Sequence, residues 1–108
     1  MIEDIHTLAI PALIFDPATY FILDANQMFV DVYGYSLEEL KQMHVVDLRP
    51  PEGKQDAIGL LESTRGNVLY SGESTHQKKN GEKIQAQVFG KRYFENNKEY
   101  YLVKVKLK

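Results

Sequence analysis

The pair Asn80-Gly81 sits between two runs in which apolar and polar residues alternate, and this narrows the available folds more than any other feature of the chain. Both residues tolerate positive φ, so a two-residue type I′ turn at this point predicts a β-hairpin. From Asn67 onward the period is two. VLYSGESTHQKK, EKIQAQVFGKRYF and KEYYLVKVKLK are expected as three strands, joined by K-N-G-E and E-N-N-K, so an antiparallel meander ends the chain.

The first half is punctuated differently. Ile2, Ile5, Leu8 and Ala9 recur at helical spacing, which predicts a short amphipathic helix over 1–10 that stops before Pro11. ALIFD (12–16) is a compact apolar run bounded by Pro11 and by the Asp16-Pro17 turn signal, and it suits a buried strand. YFILDAN (20–26) is a second strand, with Asn26 placed to cap the helix QMFVDVY. In GYSLEEL (34–40) Gly34 can close that helix in the left-handed region. Ser36 and Glu39 then form a capping box for the next helix, and Tyr35 and Leu40 stand where a hydrophobic staple belongs. HVVDLRPPE ends that helix in a turn, since Pro50-Pro51 forbids continuation. A third helix is expected in EGKQDAIGLLESTRG, where Ala57, Leu60, Leu61 and Thr64 share a face and Gly66 is a C-cap.

With 108 residues, 44% hydrophobic and 26% charged, the chain can build one core, and residues 1–108 are expected as a single domain. Net charge is −2 and the basic residues do not cluster, so nucleic acid is not an expected partner. No apolar stretch has the length of a membrane span, and the N-terminus is too acidic for a secretory signal, so a cytoplasmic location is expected. Cysteine is absent, which removes disulfides, thiolate metal sites, cysteine nucleophiles and cysteine-linked cofactors together.

A two-residue turn at Asn80-Gly81 sets Gln77 opposite Ile84, Thr75 opposite Ala86 and Glu73 opposite Val88. Paired residues share a face, so Glu73, Thr75 and Gln77 would join Ile84, Ala86 and Val88 on the core side, and His76 would point away. Buried polar groups need partners, which makes these three the polar wall of an internal pocket. A bulge near Gly72 would invert the facing, and the alternative stays open. In the last strand Tyr101, Val103, Val105 and Leu107 are the expected core set. Phe89, Tyr100 and Leu102 then form an apolar outer patch, covered either by Ile2 and Ile5 of the N-terminal helix or by a second copy in a homodimer.

The order and spacing of IFDPATYFILDAN, YGYSLEEL, DLRPPE and KKNGEK resemble the PAS domain family, the sensory module of many signalling proteins. The resemblance covers nearly the whole chain. It implies an α+β fold, a five-stranded antiparallel sheet with short helices packed on one face, and a cavity between them that in some members holds a small molecule or cofactor. The candidate lining is Tyr33, Val46, Leu61, Glu73, Thr75, Gln77, Val88 and Tyr101. The cysteine that attaches flavin or chromophore in photoreceptor members is missing, so neither linkage is expected. Haem-type members use a histidine from the helical side. Here only His44 lies there, and a surface or capping role suits it better than axial ligation. The ligand, if any, stays unidentified.

Enzymatic signals are sparse. Glu73 beside Tyr33 or Tyr101 is the one conceivable general base with an oxyanion donor, and no spacing supports it; triad order, phosphate loops and metal-ligand spacing are absent from the sequence. No catalysis is expected. Two readings remain: a sensor that transmits cavity occupancy to an attached output domain, and a ligand-free module for dimerisation or docking. The family commonly ends its last strand in an Asp-(Ile/Val)-Thr-like signal, whereas this chain ends in KVKLK. A longer signalling protein, such as a sensor histidine kinase or a cyclic-dinucleotide enzyme, is the expected context.

Overall fold

Five strands form one antiparallel sheet in the computed structural model, which describes residues 4–55 and 69–108. They are β1 (Ala12–Phe15), β2 (Ile22–Ala25), β3 (Leu69–Gln77), β4 (Lys83–Glu95) and β5 (Lys98–Leu107), arranged in the order β2-β1-β5-β4-β3. The final strand is therefore central. It bonds to β1 on one side and β4 on the other, which joins the two halves of the chain. Helices α1 (Gln27–Tyr33) and α2 (Leu37–Leu40) and two 3-10 turns, Val45–Leu48 and Pro51–Gly53, follow β2. Phe29, Tyr33, Leu40 and Leu48 from this segment pack with Leu13, Phe15, Ile22, Tyr101, Val103 and Val105 of the sheet's inner face. The expected sheet with short helices on one face is thus present. The expected third helix falls outside the described residues from position 56 onward, as does Leu61.

Local signals acted as their chemistry demands. Asn26 Oδ1 accepts from the N–H groups of Phe29 and Ala12, each at 3.0 Å, while its Nδ2 donates to the carbonyls of Ile5 (3.0 Å) and Ile10 (2.8 Å). One buried amide caps α1, anchors β1 and fastens the N-terminal segment. Gly34 closes α1 at φ 83°, and Ser36 and Glu39 form the reciprocal cap of α2 at 3.1 and 2.9 Å.

The hairpin at E-N-N-K stands where it was expected, whereas the one before it differs, with consequences for the site. Asn96 and Asn97, at φ 52° and 65°, form the two-residue loop between β4 and β5, and set Glu95 opposite Lys98. Between β3 and β4 only Gly81 has positive φ (92°). Lys78 N–H donates to the Glu82 carbonyl at 2.8 Å and Gly81 N–H to the Lys78 carbonyl at 2.9 Å, so the loop has three residues, Lys79-Asn80-Gly81. A left-handed glycine ends such a loop. Pairing moves by one residue: Gln77 faces Lys83, His76 faces Ile84 and Ser74 faces Ala86. Every β3 side chain changes sides relative to a two-residue turn. The loop is held by distant groups, since Lys79 N–H donates to the Tyr33 carbonyl at 2.9 Å and Lys79 Nζ pairs with Glu39 at 2.8 Å. That contact uses an orphan carbonyl at the end of α1.

The N-terminal segment also departs from expectation. Its described part is a single 3-10 turn, Ile5–Thr7, capped by Asp4 and followed by extended Leu8, and Ile2 lies outside the described residues. Asn26 holds the Ile5 and Ile10 carbonyls, which draws the backbone away from a continuing helix. The turn still covers the sheet's outer face: Ile5 and Leu102 bury each other together with Ala12. Tyr100 is half-buried opposite Tyr93, whereas Phe89 remains exposed.

Candidate functional site

Between the inner face of the sheet and the segment 45–49 lies a cavity of about 100 Å³. Its wall is mainly apolar, with Leu13, Phe15, Phe29, Val46, Leu48, Val88, Val103 and Val105 prominent. Tyr20, Arg49, Tyr70, Ser74, His76 and Tyr101 supply the polar groups. The three-residue loop decides this set, because it turns Tyr70, Ser74 and His76 inward on alternate positions of β3. Glycines make room for two of the phenols. A Cβ at Gly90 would stand 2.4 Å from Tyr101 Cε1, and one at Gly72 would stand 2.3 Å from Tyr70 Oη. Only bare backbone lets these rings lie over their strands.

His76 is buried, and its Nδ1 lies 2.6 Å from Tyr33 Oη. Burial first, and the nearby Arg49 charge second, pull its pKa down to about 4, so the ring is neutral at pH 7. Burial also raises the Tyr33 pKa, so that phenol keeps its proton and the hydrogen bond joins two neutral groups. Ser74 Oγ and Tyr101 Oη are in a different state. Their residues are 7% and 9% exposed, and neither oxygen has a hydrogen-bond partner among the described residues. Burial raises the Tyr101 pKa, so it too remains a neutral donor. Arg49 is the one charged side chain among the described lining residues.

Val46, Val88 and Tyr101 therefore stand on the cavity wall, and Tyr33 stands behind it through His76. Glu73, Thr75 and Gln77 do not line it. Glu73 is exposed and pairs with Lys108, Thr75 Oγ1 donates to Gln85 Oε1 at 3.2 Å, and Gln77 lies opposite Lys83, all because the loop is one residue longer than a type I′ turn. His76, expected to point outward, is part of the wall for the same reason. The inward set Tyr70, Gly72, Ser74 and His76 was present in the sequence as the other half of the same alternation, and only the turn length selects between the halves. His44 caps the turn after α2: its Nδ1 accepts from Val46 N–H at 3.2 Å, and its own N–H donates to Asp47 Oδ2 at 3.0 Å. Among the described residues no three acidic, histidine or cysteine side chains gather as a metal site, and no helix is long and apolar enough to cross a membrane.

Comparison with known proteins places this architecture. A family model described as a PAS domain matches residues 11–105. No curated protein matches the chain. Among solved structures, the PAS domain of a Desulfitobacterium hafniense protein superposes with a TM-score of 0.85 at 21% identity, covering 95% of this chain and 96% of that one. A PAS domain from a two-component sensor histidine kinase gives 0.82 at 16% identity, covering 96% and 89%. A light-oxygen-voltage domain described with a flavin analogue gives 0.78 at 21% identity, covering 93% and 78%. At these identities the likeness shows a shared fold.

Proposed function

The chain belongs to the PAS domain family, and from that premise we propose that it is the sensory module of a larger signal-transduction protein, with a small ligand in the inner cavity as its input. The observation that carries this reading is the pair of buried hydroxyls, Ser74 Oγ and Tyr101 Oη, on one cavity wall, neither with a hydrogen-bond partner among the described residues. A buried hydroxyl left unpaired costs about 1–3 kcal/mol, and a ligand that bonds to it recovers that loss. The wall is also well placed to report. Tyr101, Val103 and Val105 belong to the central strand, so occupancy presses on the element that leads to the C-terminus and to an attached output domain, of sensor histidine kinase or cyclic-dinucleotide type. The reading assigns the domain no catalysis of its own and a cytoplasmic setting.

A flavin, as in the light-oxygen-voltage likeness, fits the described wall poorly. Pockets for drug-sized ligands run to roughly 300–1,000 Å³, well above the 100 Å³ found between the described residues, and the chain has no cysteine for a covalent adduct. Haem would demand more space still, and His44 is engaged as a cap.

Exposed Phe89 and Leu69 on the outer face favour a second, compatible role, self-association of two copies across that face. Native mass spectrometry of gently purified protein, with an absorption spectrum of the same sample, tests the sensory reading. An added small mass with no visible absorbance is expected. A bare polypeptide mass, combined with no thermal stabilisation by a small-molecule extract, overturns it and leaves the association role.

A further inference from the structure

Two buried hydroxyls stand at different heights along the cavity wall, with an apolar stretch between them. Ser74 is paired with Ala86 across the hairpin. Tyr101 leans over Gly90, and its Oη lies 3.1 Å from where a Cβ of that glycine would be. Ala86, Val88 and Gly90 are alternate residues of β4, so they share the inner face with Val88 midway. Four residues of strand put the two polar points roughly 13 Å apart along the backbone. Two hydroxyls that share one acceptor atom stand no more than about 6 Å apart, so a single ligand atom does not serve both. Neither Ser74 Oγ nor Tyr101 Oη has a hydrogen-bond partner among the described residues, and both residues are nine-tenths or more buried. Burial keeps Tyr101 protonated at pH 7, so both oxygens are neutral donors. Size sets a further limit. An apolar cavity of about 150 Å³ takes up benzene, so about 100 Å³ admits a body of that bulk or less.

We propose that the cavity takes a short aliphatic molecule with a neutral oxygen function at each end, a diol or the corresponding hydroxy-ketone, one end bonded to Ser74, the other to Tyr101, and its carbon chain lying over Val88. This deepens the sensory reading above and rests on it. A hydrogen bond of about 2.8 Å at each end leaves roughly 7 Å between the ligand oxygens, close to the reach of a four-carbon chain. A purely apolar molecule leaves both hydroxyls unpaired, and a molecule with one polar end leaves one of them so. A charged end would lose its water against neutral hydroxyls and valine, at a cost those groups do not offset. Arg49 also borders the cavity, but it already has an interaction of its own and is assigned no part in holding the ligand.

Butane-1,4-diol and pentan-1-ol separate these cases, because they match in length and have the same number of heavy atoms as benzene. Amide shifts of Ser74, Val88 and Gly90 in two-dimensional NMR locate binding, and titration gives affinity. Ser74→Ala and Tyr101→Phe are each expected to weaken the diol about tenfold, since each removes one hydrogen bond. Pentanol has a single hydroxyl, so at most one of the two variants should weaken it. Both variants delete a hydroxyl that has no partner among the described residues, so they should fold as the native chain does, which circular dichroism checks. Equal effects of the variants on the two probes overturn the two-ended ligand and leave the sensory reading intact. Tighter binding of 4-hydroxybutyrate than of the diol overturns the neutral ends. Absence of shifts from every probe at tens of millimolar assigns the hydroxyls to water and overturns the proposal, and the native mass spectrum of the purified protein then decides the sensory reading by itself.

Discussion

Tyr33 Oη lies 2.6 Å from His76 Nδ1, so the last residue of α1 and the penultimate residue of β3 share a hydrogen bond across the core. The phenol is further fixed by Phe29, whose ring stacks on it at 4.0 Å between centroids. Tyr33→Phe keeps that stacking and strands the His76 nitrogen. It should cost about 1–3 kcal/mol in urea unfolding at pH 7. A loss within error would mean that the pair adds nothing to the packing of α1 on the sheet.

The same histidine gives stability a pH dependence. Its folded pKa near 4 is below its ordinary value of 6.5, so the unfolded chain binds the proton more tightly and unfolding takes up a proton between those values. The contribution of neutral His76 is complete above pH 6.5, declines as pH falls towards 4 and levels off below, amounting to on the order of 3 kcal/mol. Glu39 and Glu52 are held below the usual carboxylate range by hydrogen bonds from Lys79 and Lys83, so they act lower on the scale. Denaturation midpoints between pH 7 and 5 should fall for the native chain and flatten in His76→Gln. Parallel curves for the two proteins would rule His76 out as the source.

Gly90 has ordinary backbone angles, and its role is space. Gly90→Ala would drive a methyl into the Tyr101 ring, 2.4 Å from Cε1, and should destabilise by about 1–3 kcal/mol through overpacking. Combining it with Tyr101→Val should recover part of the loss, a coupling that a double-mutant cycle in urea measures. Additive losses would show that the ring and the glycine are independent.

Ser36→Ala removes one half of the reciprocal cap of α2 and should cost roughly 1 kcal/mol. The helix is only four residues long, so the cap is a large part of what defines it. Thermal denaturation reads the change, and an unaltered midpoint would show that Leu40 packing alone holds the corner.

On the outer face Leu102 and Phe89 should behave differently. Leu102→Glu buries a charge beneath Ile5 and should prevent stable folding, seen as loss of cooperative unfolding. Phe89→Glu changes an exposed residue, so it should fold normally and lower the sedimentation coefficient at high concentration if two copies meet on this face. Identical sedimentation of Phe89→Glu and the native chain would place any association elsewhere.

What the sequence determined by itself was a set of caps and strand alternations governed by neighbours along the chain. The Ser36–Glu39 cap, the left-handed Gly34, the Asn26 cap and the strand alternation each depend on groups a few residues apart, and each stands in the structure as the residue chemistry implies. The sheet with helices on one face followed from the order of those pieces. The identity of the cavity wall did not. Lys79-Asn80-Gly81 and Asn80-Gly81 are both sound hairpin loops, and they differ by one residue of register. The choice between them is tied to contacts outside the hairpin, where the Tyr33 carbonyl and the Glu39 carboxylate seize Lys79. That contact turns Ser74 and His76 towards the core and Glu73, Thr75 and Gln77 away from it. A strand has two faces and a period of two, so tertiary docking of a single loop residue decided which half of β3 became the site.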